Sequence, residues 1–278
     1  MTEAETVETA KKRSTLEALA VFFERRTLVM LGLGFAAGLP NLLIFDTLSA
    51  WLRDAGLSLE VIAFFGLATL SYSLKFVWAP LVDRTAIPLF TPLFGHRRSW
   101  MLVTQGLIIL GLWLIAGSDP ATSLMRIAAF AVLVGFSGAT QDIVIDAWRI
   151  EAAPQDRQGA MAAAYQWGYR IAIIVAGAAP LILAELYSWN LSYAAMAALM
   201  GIGVVAVLLA PREAQHQIRE IPVGDIPSRP PLEVAEWIVR LILIAIAALI
   251  IGSGLTGAPD MMVGALKLVG LSEAGTDA

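Results

Sequence analysis

The 278 residues include no cysteine, which excludes disulfides, thiolate metal sites and a cysteine nucleophile. Charge is also scarce. Only 15% of residues are Asp, Glu, Lys or Arg, where a soluble domain carries roughly 25%. The two histidines, His96 and His216, stand far apart in loop-like polar surroundings. They are expected to be solvated, because zinc takes roughly three or four ligands. The opening M-T-E-A-E-T-V-E-T-A-K-K-R is too polar and acidic for a secretory signal. No cofactor, metal or catalytic group is indicated.

What the chain has instead is apolar sequence: 58% of residues are hydrophobic. Long apolar runs recur, each near the ~20 residues that cross a ~30 Å hydrocarbon core as helix. The expected class is an all-α, multi-pass membrane protein. Hydropathy and turn residues place spans at 28–52, 58–82, 99–117, 125–149, 160–185, 190–210 and 237–256. Residues 1–27 read as a cytoplasmic lead-in that includes a short amphipathic helix. Residues 28–210 read as a six-helix bundle, 211–236 as a polar cytoplasmic linker, and 237–278 as a seventh helix with a short tail. With a cytoplasmic amino terminus, the inner segments hold twelve Lys or Arg and the outer loops two, Arg53 and Arg126. That asymmetry follows the positive-inside rule. L-G-F-A-A-G (33–38) and V-G-F-S-G-A (134–139) lie in the first helix of each helix triplet, which suggests an inverted repeat.

The exceptions to apolarity are concentrated in A-T-Q-D-I-V-I-D-A-W-R-I-E, residues 139–151. A charge at the bilayer centre costs at least ~2.5–3.5 kcal/mol, so each one needs a reason. Helical spacing puts Asp142, Asp146 and Arg149 on one stripe. Asp142 lies seven residues inside Arg149, or ~10 Å from the interface. Lys75 falls at a similar depth, ~12 Å, and is a natural counter-charge to Asp142 or Asp146. Arg170 is expected at ~15 Å, with Tyr169 beside it, and Tyr165 and Gln166 one turn earlier. A pathway role is expected for Asp142 and Arg170, and a structural or headgroup-reaching one for Asp146 and Arg149. Lys75 divides evenly between the two. Asp46, near an outer helix end, can simply reach the headgroups.

A-P-L-V-D-R (79–84) followed by G-H-R-R (95–98) resembles the loop signature of the major facilitator superfamily, through Asp83, Arg84, Gly95, Arg97 and Arg98. It departs from that signature in having Ala79 where the family has glycine, and a longer insertion before Gly95. G-F-A-A-G-L-P (34–40), A-W-L-R-D-A-G (50–56), Y-S-L-K-F-V-W-A-P-L-V-D-R (72–84), A-T-Q-D-I-V-I-D-A-W-R (139–149) and G-Y-R (168–170) sharpen the likeness. Together they resemble the bacterial muropeptide permease (AmpG-like) family, and T-Q-D-I-x-x-D also recurs in the related acetyl-CoA transporters. The resemblance covers residues ~28–212, the amino-terminal half of such a transporter. It implies an inner-membrane location and proton-coupled import of anionic sugar-peptides of the N-acetylglucosaminyl-anhydromuramyl type. It also implies a pathway role for Gln141 and Asp142. Family members have two six-helix halves, so the expected partners are the bilayer, the substrate, and a missing carboxy-terminal half or a second copy; none is a nucleic acid.

Other functions stay open at this point. An acetyl-CoA-type or other organic-anion transporter is one. A membrane enzyme holding Mg²⁺ on Asp142 and Asp146 is another, although it lacks the further acidic pair such enzymes need. A packing or regulatory protein is the third.

Overall fold

The computed structural model describes residues 20–66, 70–152 and 154–211. The expected linker, the seventh span and His216 lie outside these residues. Among the described residues every regular element is helical. Five helices are long and apolar enough to cross a membrane: Arg25–Asp54, His96–Ala116, Pro120–Ala152, Asp156–Leu186 and Trp189–Leu209.

The first of these, α1 (Arg25–Asp54), is the central post, with Met30, Leu33, Leu39, Leu43, Ile44 and Leu48 fully buried. Pro40 lies inside it and cannot donate a backbone hydrogen bond, and a π-helical turn follows at Leu43–Thr47. Neighbouring helices satisfy that turn. Buried Tyr193 donates its hydroxyl to the Leu43 carbonyl at 2.8 Å. Thr47 donates to the Ala176 carbonyl at 2.9 Å.

The second expected span, 58–82, is not one helix. It comprises α2 (Leu59–Phe65), α3 (Leu70–Leu74), a 3-10 turn at Lys75–Val77 and α4 (Ala79–Arg84). Pro80 accounts for the last break. It has no N–H to return to Phe76, and it starts a fresh helix instead. The broken segment is held by α7 (Pro120–Ala152): the Trp78 indole donates to Thr140 Oγ1 at 3.0 Å, and its ring lies 4.7 Å from that of Phe136.

A short α5 (Phe90–Phe94) leads to Gly95, whose φ of +92° opens α6 (His96–Ala116). Two expectations are corrected here. His96 is buried, not solvated, and its Nε2 lies 3.0 Å from the Val82 carbonyl. Arg97 and Arg98 sit in the first turn of α6, not in a loop, and both are buried.

Helix α8 (Gln155–Leu186) packs most extensively on α1, and glycine permits the approach. A Cβ on Gly34 would run into the Tyr165 carbonyl, and one on Gly168 into the Leu31 carbonyl. Backbones this close need small residues, the usual device where helices associate in lipid. The sixth span comprises α9 (Trp189–Leu199) and α10 (Gly201–Leu209). Both pack on α6, and α10 also contacts α1.

Candidate functional site

Four segments converge on Asp142. Lys75, in the 3-10 turn, brings its Nζ to 3.7 Å from one carboxylate oxygen. The pair is an ion contact longer than a hydrogen bond. Lys75 is 36% exposed and Asp142 14%, so the lysine sits on the open side. The other carboxylate oxygen, Oδ1, is buried with no hydrogen-bond partner among the described residues. Tyr72, Tyr165 and Tyr169 lie within electrostatic reach of that carboxylate. The Tyr165 and Tyr169 rings are 6.1 Å apart on α8, and the Tyr169 hydroxyl lies near Asn41 of α1.

The reason these groups meet lies in the backbone. Gly34 and Gly38 of α1 let α8 close in at Tyr165 and Tyr169. Gly138, one turn before Asp142, leaves room for the Tyr72 ring. A lysine and an aspartate paired in an apolar bundle neutralise one another, and such pairs mark pathways when one member is reachable from outside.

A second cluster ties the other polar end together. Arg97 donates through Nη1 to Asp83 at 2.5 Å, and through Nη2 and Nε to Glu151 Oε1 at 2.7 and 3.1 Å. Its side chain is only 5% exposed. One buried guanidinium thus clamps the end of α4 to the end of α7. Arg98 turns the other way, to the Val207 and Leu208 carbonyls at the end of α10, each at 3.1 Å. Arg25 donates to the Leu209 carbonyl at 2.8 Å, and Arg157 pairs with Glu24 at 3.1 Å.

The remaining expected residues are placed less centrally. Asp146 and Arg149 form an i, i+3 pair at 3.6 Å and stay apart from Lys75. Gln141 is fully buried inside the bundle, with neither amide atom partnered among the described residues. Arg170 and Gln166 are exposed, and Arg170 makes no ion pair among the described residues. Arg84 is exposed beside Asp83. Asp46 lines, with Ser49, Arg53, Asp54, Glu185 and Trp189, a cavity of about 740 Å³ near the far end of α1.

Sequence reasoning passed over Tyr72 and Asn41, and left Glu151 out of the site. Tyr72 had a signal, since it precedes Lys75 by three residues and so shares its helical face. Asn41 and Glu151 are recognisable only by what they touch.

Comparison with known proteins now bears on this geometry. The family model of the Major Facilitator Superfamily matches residues 85–276. The chain belongs to the major facilitator superfamily. The family model of acetyl-coenzyme A transporter 1 matches residues 26–125. The chain is 41% identical over 194 residues to the anhydromuropeptide permease of Escherichia coli strain K12, covering 69% of this chain and 39% of that protein. It is 36% identical over 190 residues to putative transporter AmpG 4 of Rickettsia felis, covering 68% and 46%. The chain thus spans 39% and 46% of the lengths of these two curated relatives. The AmpG-like kinship and the tie to acetyl-CoA transporters expected from the motifs are both present. A multi-pass membrane protein of this superfamily follows, and these two relatives are a permease and a putative transporter.

Proposed function

We propose that this chain supplies the amino-terminal half of a proton-coupled importer of anhydromuropeptides in a bacterial inner membrane. The observation that carries the reading is the Lys75–Asp142 pair, reachable on the lysine side, in a bundle whose relatives include an anhydromuropeptide permease. In this reading residues 28–210 form the six-helix half, 211–236 the linker, and 237–278 a seventh helix and tail. An arriving substrate carboxylate takes Lys75, and the released Asp142 binds the coupling proton. Tyr165, Tyr169 and Tyr72 wall the route. Gln141, buried in α7 beside Asp142, belongs to the same route, while Arg170, Asp146 and Arg149 meet the substrate nearer the open side. The amino terminus and the Asp83–Arg97–Glu151 end face the cytoplasm, as the distribution of basic residues supports.

Alternating access needs two bundles rocking about a shared site. The second bundle is a carboxy-terminal half or another copy of this chain. The experiment is uptake of a labelled anhydromuropeptide into proteoliposomes under a proton gradient. The 278-residue chain by itself is expected to give no saturable uptake, and a version completed with a second half to give it. In the completed version Asp142→Asn is expected to abolish uptake while membrane insertion stays intact. Wild-type uptake by that variant refutes the role of the carboxylate. Robust uptake by the 278 residues alone points to a working homodimer. The match of the acetyl-coenzyme A transporter 1 model to residues 26–125 favours a second reading, transport of a CoA thioester. Saturable uptake of labelled acetyl-CoA that excess anhydromuropeptide does not inhibit selects it.

A further inference from the structure

The ten residues from Thr85 to Phe94 that separate Arg84 from Gly95 expose more apolar surface than a water-facing loop tolerates. Leu89 is 80% exposed and Leu93 63%, with Phe90 exposed between them. Leu89 also holds a φ of +69°, with the Phe90 N–H donating to the Pro88 carbonyl at 2.9 Å. That is a three-residue turn in a left-handed conformation, which a side-chain-bearing residue rarely adopts. The turn and α5 are tied to α6. Phe94 stacks under the Arg98 guanidinium at 5.9 Å, and the Phe90 and Phe94 rings are 6.3 Å apart. At the other end of the loop, the Trp100 indole donates to the Thr85 carbonyl at 2.8 Å.

Trp100 decides what the exposed side meets. On α6 it shares a helical stripe with Val103, Leu107 and Leu110, of which Leu107 and Leu110 are exposed apolar side chains on a membrane-crossing helix. The loop therefore begins at the foot of a lipid-facing stripe and carries its apolar surface onward. Exposed Arg84 stands at the start of the loop, as a cation placed to meet headgroup phosphates. We infer that the 85–94 segment is an interfacial anchor: Leu89, Phe90 and Leu93 enter the bilayer at headgroup depth and fix the level of the Asp83–Arg97–Glu151 clamp against the membrane. The inference does not depend on the substrate or on which side of the membrane this end faces.

The absence of cysteine makes the test direct. L89C and L93C are made singly in the full chain, labelled with bimane, and inserted in phosphatidylethanolamine–phosphatidylglycerol vesicles, with L110C as the lipid-facing reference. Emission is read with nitroxide lipids labelled near the headgroup or deep in the acyl chain, and with iodide in the water. The expected result is about a twofold loss of emission at both sites with the shallow nitroxide, a smaller loss with the deep one, and little with iodide, as suits side chains some 5–10 Å into the interface. Quenching by iodide without quenching by either lipid overturns the inference and leaves a loop in water. Protection from all three overturns it in favour of a protein partner on this face.

Discussion

Replacing Arg97 is the sharpest test of how this bundle is held. The buried guanidinium makes two contacts to Glu151 Oε1, at 2.7 and 3.1 Å, and one to Asp83 at 2.5 Å. A hydrogen bond to a charged group contributes ~1.5–3 kcal/mol. The two arms are unequal, because the Asp83 side chain is 48% exposed and that of Glu151 29%. Solvent screening reduces the Asp83 arm to under about 1 kcal/mol, and the Glu151 arm contributes about 2 kcal/mol. Arg97→Ala is therefore expected to cost about 3 kcal/mol, because it also leaves two carboxylates facing each other. Glu151→Gln should cost about 1 kcal/mol, since Arg97 keeps Asp83, and Asp83→Asn about 0.5 kcal/mol or less. Unfolding in mixed micelles of rising SDS content, followed by far-ultraviolet circular dichroism, gives each value from the shift at constant slope. An Arg97→Ala, Glu151→Ala cycle should return a coupling of about 1–2 kcal/mol. An Arg97→Ala variant within about 0.5 kcal/mol of the parent, or a purely additive cycle, refutes the clamp.

The remaining predictions concern packing, buried polarity and orientation. Gly34→Leu and Gly168→Leu should each cost about 3 kcal/mol or more and lower the yield of monodisperse protein, because the first side-chain atom meets a backbone carbonyl. Gly106→Ala, with nothing within 4 Å of the new methyl group, should stay within about 0.5 kcal/mol, and a similar loss at Gly106 would show that the close α1–α8 approach is not the cause. Gln105→Leu should leave the thermal midpoint unchanged or raise it, because both amide atoms of the buried Gln105 lack a partner among the described residues. A clear fall in midpoint by intrinsic tryptophan fluorescence would show that the amide is satisfied in the membrane. A cysteine placed at Ser228 should resist an impermeant maleimide added from the periplasm; labelling there would reverse the proposed orientation.

The sequence alone was sufficient for class and kinship, and it narrowed the partner of Lys75 to two carboxylates. Long apolar runs leave a backbone only the helix in lipid, since every N–H and C=O must be satisfied within the segment. A helix has one period, so Asp142, Asp146 and Arg149 were legible as a stripe, and depth matched Lys75 to Asp142 or Asp146; the fold brings it to Asp142. Other features needed the fold. One-dimensional depth does not tell which way a residue faces, so Gln141, one residue from Asp142 and about 100° around the helix, proved fully buried while Asp142 stays within reach of Lys75. The same limit hid the exposed position of Arg170, which depth alone does not give. His96 and Arg97 read as loop residues because their sequence neighbours are polar, yet their burial comes from Val82, Asp83 and Glu151. Two of those contacts span 14 residues and one spans 54. Such contacts are set by how helices meet, and the meeting of α1 with α8 is set in turn by the missing side chains of Gly34 and Gly168. A glycine's position in the chain does not disclose which backbone will come to occupy that space.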